Sequence, residues 1–264
     1  TIFFNNSNSW NWKKTMKGKI TIVGLGPGNK SMMTQEVVNV IDNATDIIGY
    51  STYIKRIKPS KNLNLYSSDN RDEPKRAKDA INLALEGKNV VVISSGDPGV
   101  FAMASVVFET IDNGPDLWHE IDIVVLPGVT AMLAAAARVG APLGHDFCAI
   151  NLSNNLKPWH LIEKRIRLSI ECDFVIALYN PRSKSRPNEF RKTLDILRET
   201  CDDNRYILFA KSVFSDEENI NIIQLKNAKE DMADMQTLVI IGSSLSKVII
   251  RSKQDFFYTP RVSI

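Results

Sequence analysis

The chain has 264 residues, 44% hydrophobic and 24% charged, with a formal net charge of +3, a balance that suits one large or two ordinary globular domains. No apolar run approaches the roughly 20 residues that span a bilayer, and no basic block of the nucleic-acid-binding kind is present; the mild charge itself excludes little and fits an acidic small molecule. The three cysteines, Cys148, Cys172 and Cys201, are odd in number and lack metal-ligand spacing, so no disulfide framework, iron–sulfur cluster or metal site is expected, only small buried hydrophobes in a reducing cytoplasm.

Residues 1–17 are Asn/Ser-rich and then basic, without the apolar core of a signal peptide, and read as a flexible leader or a linker from something upstream. Strand-like and helix-like segments then alternate. Ile20–Val23 reads as a buried strand, followed by a turn and a helix near Thr34–Ala44. Pro74 opens a helix with Ala77, Ile81 and Ala84 on one face. The strand Val90–Ser94, a helix after Val100 and the strand Ile121–Leu126 come next, and then an alanine-rich helix, Thr130–Val139, suited to close packing on a sheet. This alternation predicts a mostly parallel sheet covered by helices. The Gly140–Gly144 stretch breaks regular structure, giving an expected N-terminal α/β domain over 18–143 and a C-terminal one over 144–264. Beyond it lie the strand Phe147–Leu152, a helix near Trp159–Ile170 and the strand Phe174–Leu178. A helix Asn188–Thr200 and strands near 206–210, 220–225 and 238–241 follow, with links short enough for partly antiparallel pairing.

Three strand ends carry turns of similar character. Gly24-Leu25-Gly26-Pro27-Gly28 lacks the third glycine of a dinucleotide fingerprint, having Asn29 there, and Pro27 removes an N–H that a phosphate cradle would use. No Gly-Lys-Ser/Thr closes a Walker loop either, so a tight turn remains, open to close approach by a ligand. In Gly96-Asp97-Pro98-Gly99, Asp97 could accept hydrogen bonds from a ribose or an amine, or cap the next helix. Pro127-Gly128-Val129-Thr130-Ala131 is the third, with Thr130 suited to an N-cap. Ligands of open α/β sheets bind beyond the carboxyl ends of the strands, and three such turns in one half point to a binding site. His145 beside Asp146 suggests acid/base work, or a hinge histidine bonded to backbone. Arg182, Lys184 and Arg186 follow Tyr179-Asn180-Pro181 and could clamp carboxylates, or form a solvated loop.

Taken together, these strings resemble the tetrapyrrole (corrin/porphyrin) methyltransferases. The broad match rests on Gly24–Gly28, Gly96–Gly99 and Pro127–Ala131. A narrower likeness, to the branch that acts at C17 of precorrin-3B, rests on Ser94–Ala104, Gly144-His145-Asp146-Phe147-Cys148, Leu178-Tyr179-Asn180-Pro181 and Tyr258-Thr259-Pro260-Arg261. The resemblance runs from Gly18 to Arg261 and implies two α/β domains, an active site in the trough between them, and a homodimer. It implies S-adenosylmethionine held by Pro27, Ser95, Gly96, Asp97, Val100, Thr130, Ala131, Asn180 and Ser212. Substrate carboxylates would meet Arg71, Arg182, Lys184, Arg186 and Arg261, with His145, Asp146 and Glu73 as acid/base candidates and no metal. The implied reaction is methylation of C17 of precorrin-3B, or of its cobalt-bearing counterpart, with ring contraction in cobalamin biosynthesis. Other enzymes of that pathway are possible fused or channelling partners. The alternatives are a methyltransferase of this fold acting at another tetrapyrrole position, a dinucleotide-dependent oxidoreductase, and a non-catalytic binding domain. Two positions depart from the family pattern: Asn154 stands where an aspartate is usual, and Val262 where a glycine is usual.

Overall fold

The computed structural model describes residues 18–69 and 72–262; the proposed leader and Arg71 lie outside them. The chain divides into two compact units, one of residues up to Leu25 and Met33–Gly128, the other of Gly26–Met32 and Val129 onward.

The first unit holds five parallel strands, β1 (Lys19–Gly24), β2 (Asp46–Tyr50), β3 (Asn64–Ser68), β4 (Asn89–Ser94) and β5 (Asp122–Leu126), in the order β3-β2-β4-β1-β5. Successive side chains of a strand point to opposite faces, and here both faces are buried. Ile20, Ile22, Ile48, Val90 and Val92 share one core with Ala77, Ala80, Ile81 and Val107. Val23, Ile47, Val91 and Ile93 share the other with Val37 and Ile54. Burial on both sides is why the central strands read as continuous apolar runs. Helices α3 (Glu73–Leu85, with Pro74 in its first turn) and α4 (Met103–Asp112) cover the first face. The other is covered by α1 (Gln35–Asp42) and the single turn α2 (Ser51–Ile54). Thr34 caps α1, its Oγ1 accepting the Val37 N–H at 3.3 Å.

In the second unit, α5 (Ala131–Val139) leads to β6 (Gly140–Ala141), β7 (Phe147–Asn151), α6 (Trp159–Glu171), β8 (Val175–Tyr179) and α7 (Glu189–Thr200). The strands β9 (Tyr206–Lys211), β10 (Asn219–Gln224), β11 (Thr237–Ile241), β12 (Lys247–Ile249) and β13 (Phe256–Tyr258) complete it. The larger sheet has the order β10-β9-β11-β8-β7, with β7 and β8 parallel and the remaining pairs antiparallel, the mixture the short links predicted. Ile176, Leu178, Ile207, Phe209 and Val239 face α6 and α7; Val175, Ala177, Leu208 and Ile240 face α5. A small sheet, β12-β13-β6, completes the unit.

Two expectations need correcting. The units part after Gly128, not at Gly144, because Ala134, Ala135 and Val139 of α5 pack on the second sheet. Its short side chains let helix and sheet approach closely, and the Gly140–Gly144 stretch supplies β6, which pairs with β13. The cysteines are free but not buried: Cys172 is exposed and the other two are half-buried. Among the described residues no helix is long and apolar enough to cross a membrane.

Candidate functional site

All five strands of the first sheet run the same way, so the turns after Gly24, Ser94 and Leu126 gather at one end of it. There Gly24, Gly96 and Gly128 stack backbone on backbone. A methyl group at Gly24 would lie 2.8 Å from the Gly128 Cα and strike the Gly96 carbonyl. Gly96 also has φ 62°, a left-handed conformation that costs glycine little. Asp97 ties two of the turns: Oδ1 accepts the Gly99 N–H at 2.8 Å and Oδ2 the Gly128 N–H at 3.0 Å. Leu25 N–H donates to the Ser94 carbonyl at 2.8 Å. The result is a side-chain-poor set of backbone groups with Ser95 and Val100 half-buried beside it.

The same end of the sheet carries a polar cluster that the sequence reading missed. Tyr53 shares a hydrogen bond with Ser95, and burial pushes its phenol pKa up, against the pull of the Ser95 bond and the nearby Arg56 and Arg76. Arg56 Nη2 donates to the Leu25 carbonyl at 3.1 Å. Arg76 is 2% exposed, bonding Ser68 Oγ through Nε (2.9 Å) and the Asp69 carbonyl through Nη2 (2.7 Å). Burial lowers the pKa of both guanidinium groups; Glu73 is the largest opposing influence on Arg76. Glu73, half-buried, opens α3 just beyond the β3 terminus and so shares this end of the unit. A signal for Arg76 was present in the sequence: it sits on the stripe of α3 that also carries Ala77, Ala80 and Ile81. A cation on an apolar stripe marks a buried polar site.

The chain passes between the units inside two of these turns, at Leu25/Gly26 and Gly128/Val129. Gly26 and Gly28 have φ 64° and 65°, Pro27 is buried, and the Asn29 N–H donates to the Phe214 carbonyl at 3.1 Å. Thr130 occupies the N-cap position of α5, but its hydroxyl makes no capping bond. Instead it lies 2.6 Å from Tyr179 Oη, and that phenol oxygen accepts the Met132 N–H at 3.1 Å. Tyr179 therefore caps α5 from the second sheet. Tyr179→Phe is expected to cost about 1–2 kcal/mol of stability through the lost cap. An unchanged urea midpoint would contradict this.

Within the second unit β7, β8 and β9 run in one direction, which puts Asn151, Tyr179 and Lys211 at the same edge. Just past that edge Asn180 (φ 51°), Ser212 (φ 48°) and Phe214 (φ 62°) all adopt left-handed backbone. Such conformations in residues other than glycine gather at ligand clamps. Asn180 Nδ2 donates to Asn151 Oδ1 at 3.1 Å. The Ser212 carbonyl accepts the Ser215 hydroxyl at 2.7 Å, and the Phe214 N–H meets Glu218 Oε2 at 2.6 Å.

Of the remaining expected residues, the His145–Asp146 pair lies away from this group, whereas Arg182, Lys184 and Arg186 follow Asn180 in the same loop. His145 and Asp146 stand at the start of β7, with Cys172, Asp173 and Ser243 around a small cavity of about 80 Å³. They are thus at the opposite end of the sheet from Asn180, a five-residue strand away, roughly 17 Å. The Asp146 N–H donates to His145 Nδ1 at 2.7 Å, a local bond to backbone inside the second unit and not at a hinge. Arg186 is 7% exposed and its Nη1 donates to the Asn180 carbonyl at 3.2 Å, so it is not a solvent-facing clamp. Arg182 is half-buried with Nε lacking a hydrogen bond, while Lys184 and Arg261 are exposed. Asn154 Nδ2 donates to Glu189 Oε1 at 3.2 Å, an amide bond that an aspartate there could not make as a carboxylate.

Comparison with known proteins adds to this geometry. Residues 19–228 match the family model described as Tetrapyrrole (Corrin/Porphyrin) Methylases. A Precorrin-3B C(17)-methyltransferase from Sinorhizobium sp is 46% identical over 247 residues, 93% of this chain and 97% of that protein. The Mycobacterium tuberculosis cobalamin biosynthesis protein CobIJ is 38% identical over 93% of this chain, which spans only 48% of that relative's length. The crystal structure of the methyltransferase CobJ superposes with a TM-score of 0.88 at 51% identity, covering 92% of this chain and all of that one.

Proposed function

Because the chain belongs to the tetrapyrrole (corrin/porphyrin) methylases, we propose that it moves a methyl group from S-adenosylmethionine to C17 of precorrin-3B, or of its cobalt-bearing counterpart, and promotes ring contraction on the way to cobalamin. The observation that carries this reading is 46% identity to a C17-methyltransferase along nearly its whole length.

The residues fit such a methyl donor. Three glycines keep side chains away from the strand ends, Ser95 offers a hydroxyl, and Asn180 and Ser212 hold strained backbone ready. We assign the donor to Pro27, Ser95, Gly96, Asp97, Val100, Thr130, Ala131, Asn180 and Ser212, and the substrate carboxylates to Arg71, Arg182, Lys184 and Arg261. When bound, S-adenosylmethionine supplies an already activated methyl group, so the chain's own task is placement. Holding two reactants in line can account for about 7–11 kcal/mol of a barrier. Ring contraction also needs proton transfers, typically worth about 10²–10⁴-fold when a side chain provides them. Glu73 and Tyr53 are the groups we assign to that work. The Tyr53 phenol carries its proton at neutral pH and can donate a hydrogen bond, although burial raises its pKa and so makes it a weaker acid. The enzyme is proposed to work in the cytoplasm as a homodimer, which sedimentation would test.

His145→Ala is accordingly expected to retain methylation and ring contraction within about twofold, as for a residue at the opposite end of the second sheet from Asn180; a hundredfold loss would return His145 to the mechanism. The decisive assay supplies purified chain with precorrin-3B or cobalt-factor III and isotopically labelled S-adenosylmethionine. Label at C17 in a ring-contracted product supports the reading; label at another carbon, or none, overturns it.

A further inference from the structure

The cation Arg186 is built into its loop. Ser183 and Arg186 exchange backbone N–H to carbonyl bonds at 3.1 Å each way, and the Arg186 N–H also reaches Ser183 Oγ at 3.1 Å. The side chain folds inward, where Nη1 donates to the Asn180 carbonyl and Nη2 meets Met235 Sδ at 3.4 Å. Glu189, 6% exposed, is the acid whose field offsets the desolvation of this guanidinium. From the other side Asn151 Oδ1 accepts the Asn180 amide and, at 2.9 Å, the Ser153 N–H. Asn180 is thus gripped at its carbonyl and at its side chain, and it is a residue whose backbone stands in the left-handed region. Asparagine tolerates that region better than most residues, but it does not prefer it. Something must hold it there.

We propose that Arg186 is a positioning residue for the methyl-donor site: it clamps the Asn180 carbonyl, fixes the left-handed turn after β8, and does not bind substrate carboxylates. This rests on the reading that Asn180 touches the donor. A lysine at 186 keeps the charge but loses the planar fork and its several donors, so the turn would relax while the loop stays charged.

The test uses the full chain, with S-adenosylhomocysteine as probe in calorimetry and both substrates in steady-state kinetics. For Arg186→Lys the dissociation constant of the probe and the KM for S-adenosylmethionine are expected to rise about tenfold, with the tetrapyrrole KM within about twofold of wild type. Asn151→Ala, which releases the same residue from its other side, is expected to give the same split and decides the matter should Arg186→Lys fail to fold. Unchanged probe affinity in the variants beside a wild-type protein that binds it overturns the positioning role. So does a raised tetrapyrrole KM with normal probe affinity, which would make Arg186 a substrate clamp. A wild-type chain that does not bind the probe overturns the cofactor reading itself, and this inference with it.

Discussion

Asp97→Ala is expected to destabilise the protein by about 3 kcal/mol and to lower affinity for S-adenosylhomocysteine at least a hundredfold, since hydrogen bonds to an ionised group contribute about 1.5–3 kcal/mol each. The carboxylate spans two turns, with one oxygen on the Gly99 N–H and the other on the Gly128 N–H. Removing it leaves both donors without an acceptor and frees the second turn from the third. Asp97→Asn keeps one acceptor oxygen and should fall between the two, losing chiefly the Gly128 or the Gly99 bond. Urea unfolding and calorimetry would check this. An alanine variant with wild-type midpoint and affinity would show that the tie is dispensable.

Gly128→Ala should be worse still. Its added carbon would sit 2.8 Å from the Gly24 Cα and against the Gly96 carbonyl. Those are main-chain atoms of buried or half-buried turns, with no flexible side chain to give way. Overpacking of this kind costs about 1–3 kcal/mol and more when the neighbours cannot yield. Failure to fold, or a loss beyond about 3 kcal/mol with no donor binding, is expected. Gly87→Ala is the control. It has φ 88° but nothing within 4 Å of the new carbon, so only the left-handed strain of about 1–2 kcal/mol should be seen. Equal effects at the two positions would mean that the glycine stack is not what demands glycine at 128.

How legible the molecule was from sequence depended on where each signal came from. β1 and β4 were plain because strands buried on both faces are unbroken apolar runs. β2 was missed: it opens with Asp46 and contains Gly49, whose smallness makes room for Ile93 on the next strand. The edge strand β3, Asn-Leu-Tyr-Ser-Ser, has little to bury. Glycines and prolines suggested a boundary near 144, but helix packing draws it at 128, and packing partners are not written in local punctuation. The three glycine turns were recognised because strand direction alone gathers them. His145 beside Asp146 could be seen as a pair, but which end of the sheet they occupy depends on strand pairing. Likewise Arg186 reads as one of three surface cations until its burial is known.

The third sheet has a consequence for how the protein is made. β13 pairs with β6, and Phe257, wholly enclosed, completes the apolar layer under α5. A nascent chain leaving the ribosome can finish its first sheet once Leu126 has emerged, since no strand of that sheet lies later. The second unit must wait for residue 257, more than a hundred positions after its opening helix, before the apolar layer against its alanine-faced helix is complete. Domains fold as units during synthesis, and partly assembled ones expose surface that aggregates. Chains stalled or cut short of Phe257 should therefore be the ones that chaperones and proteases meet.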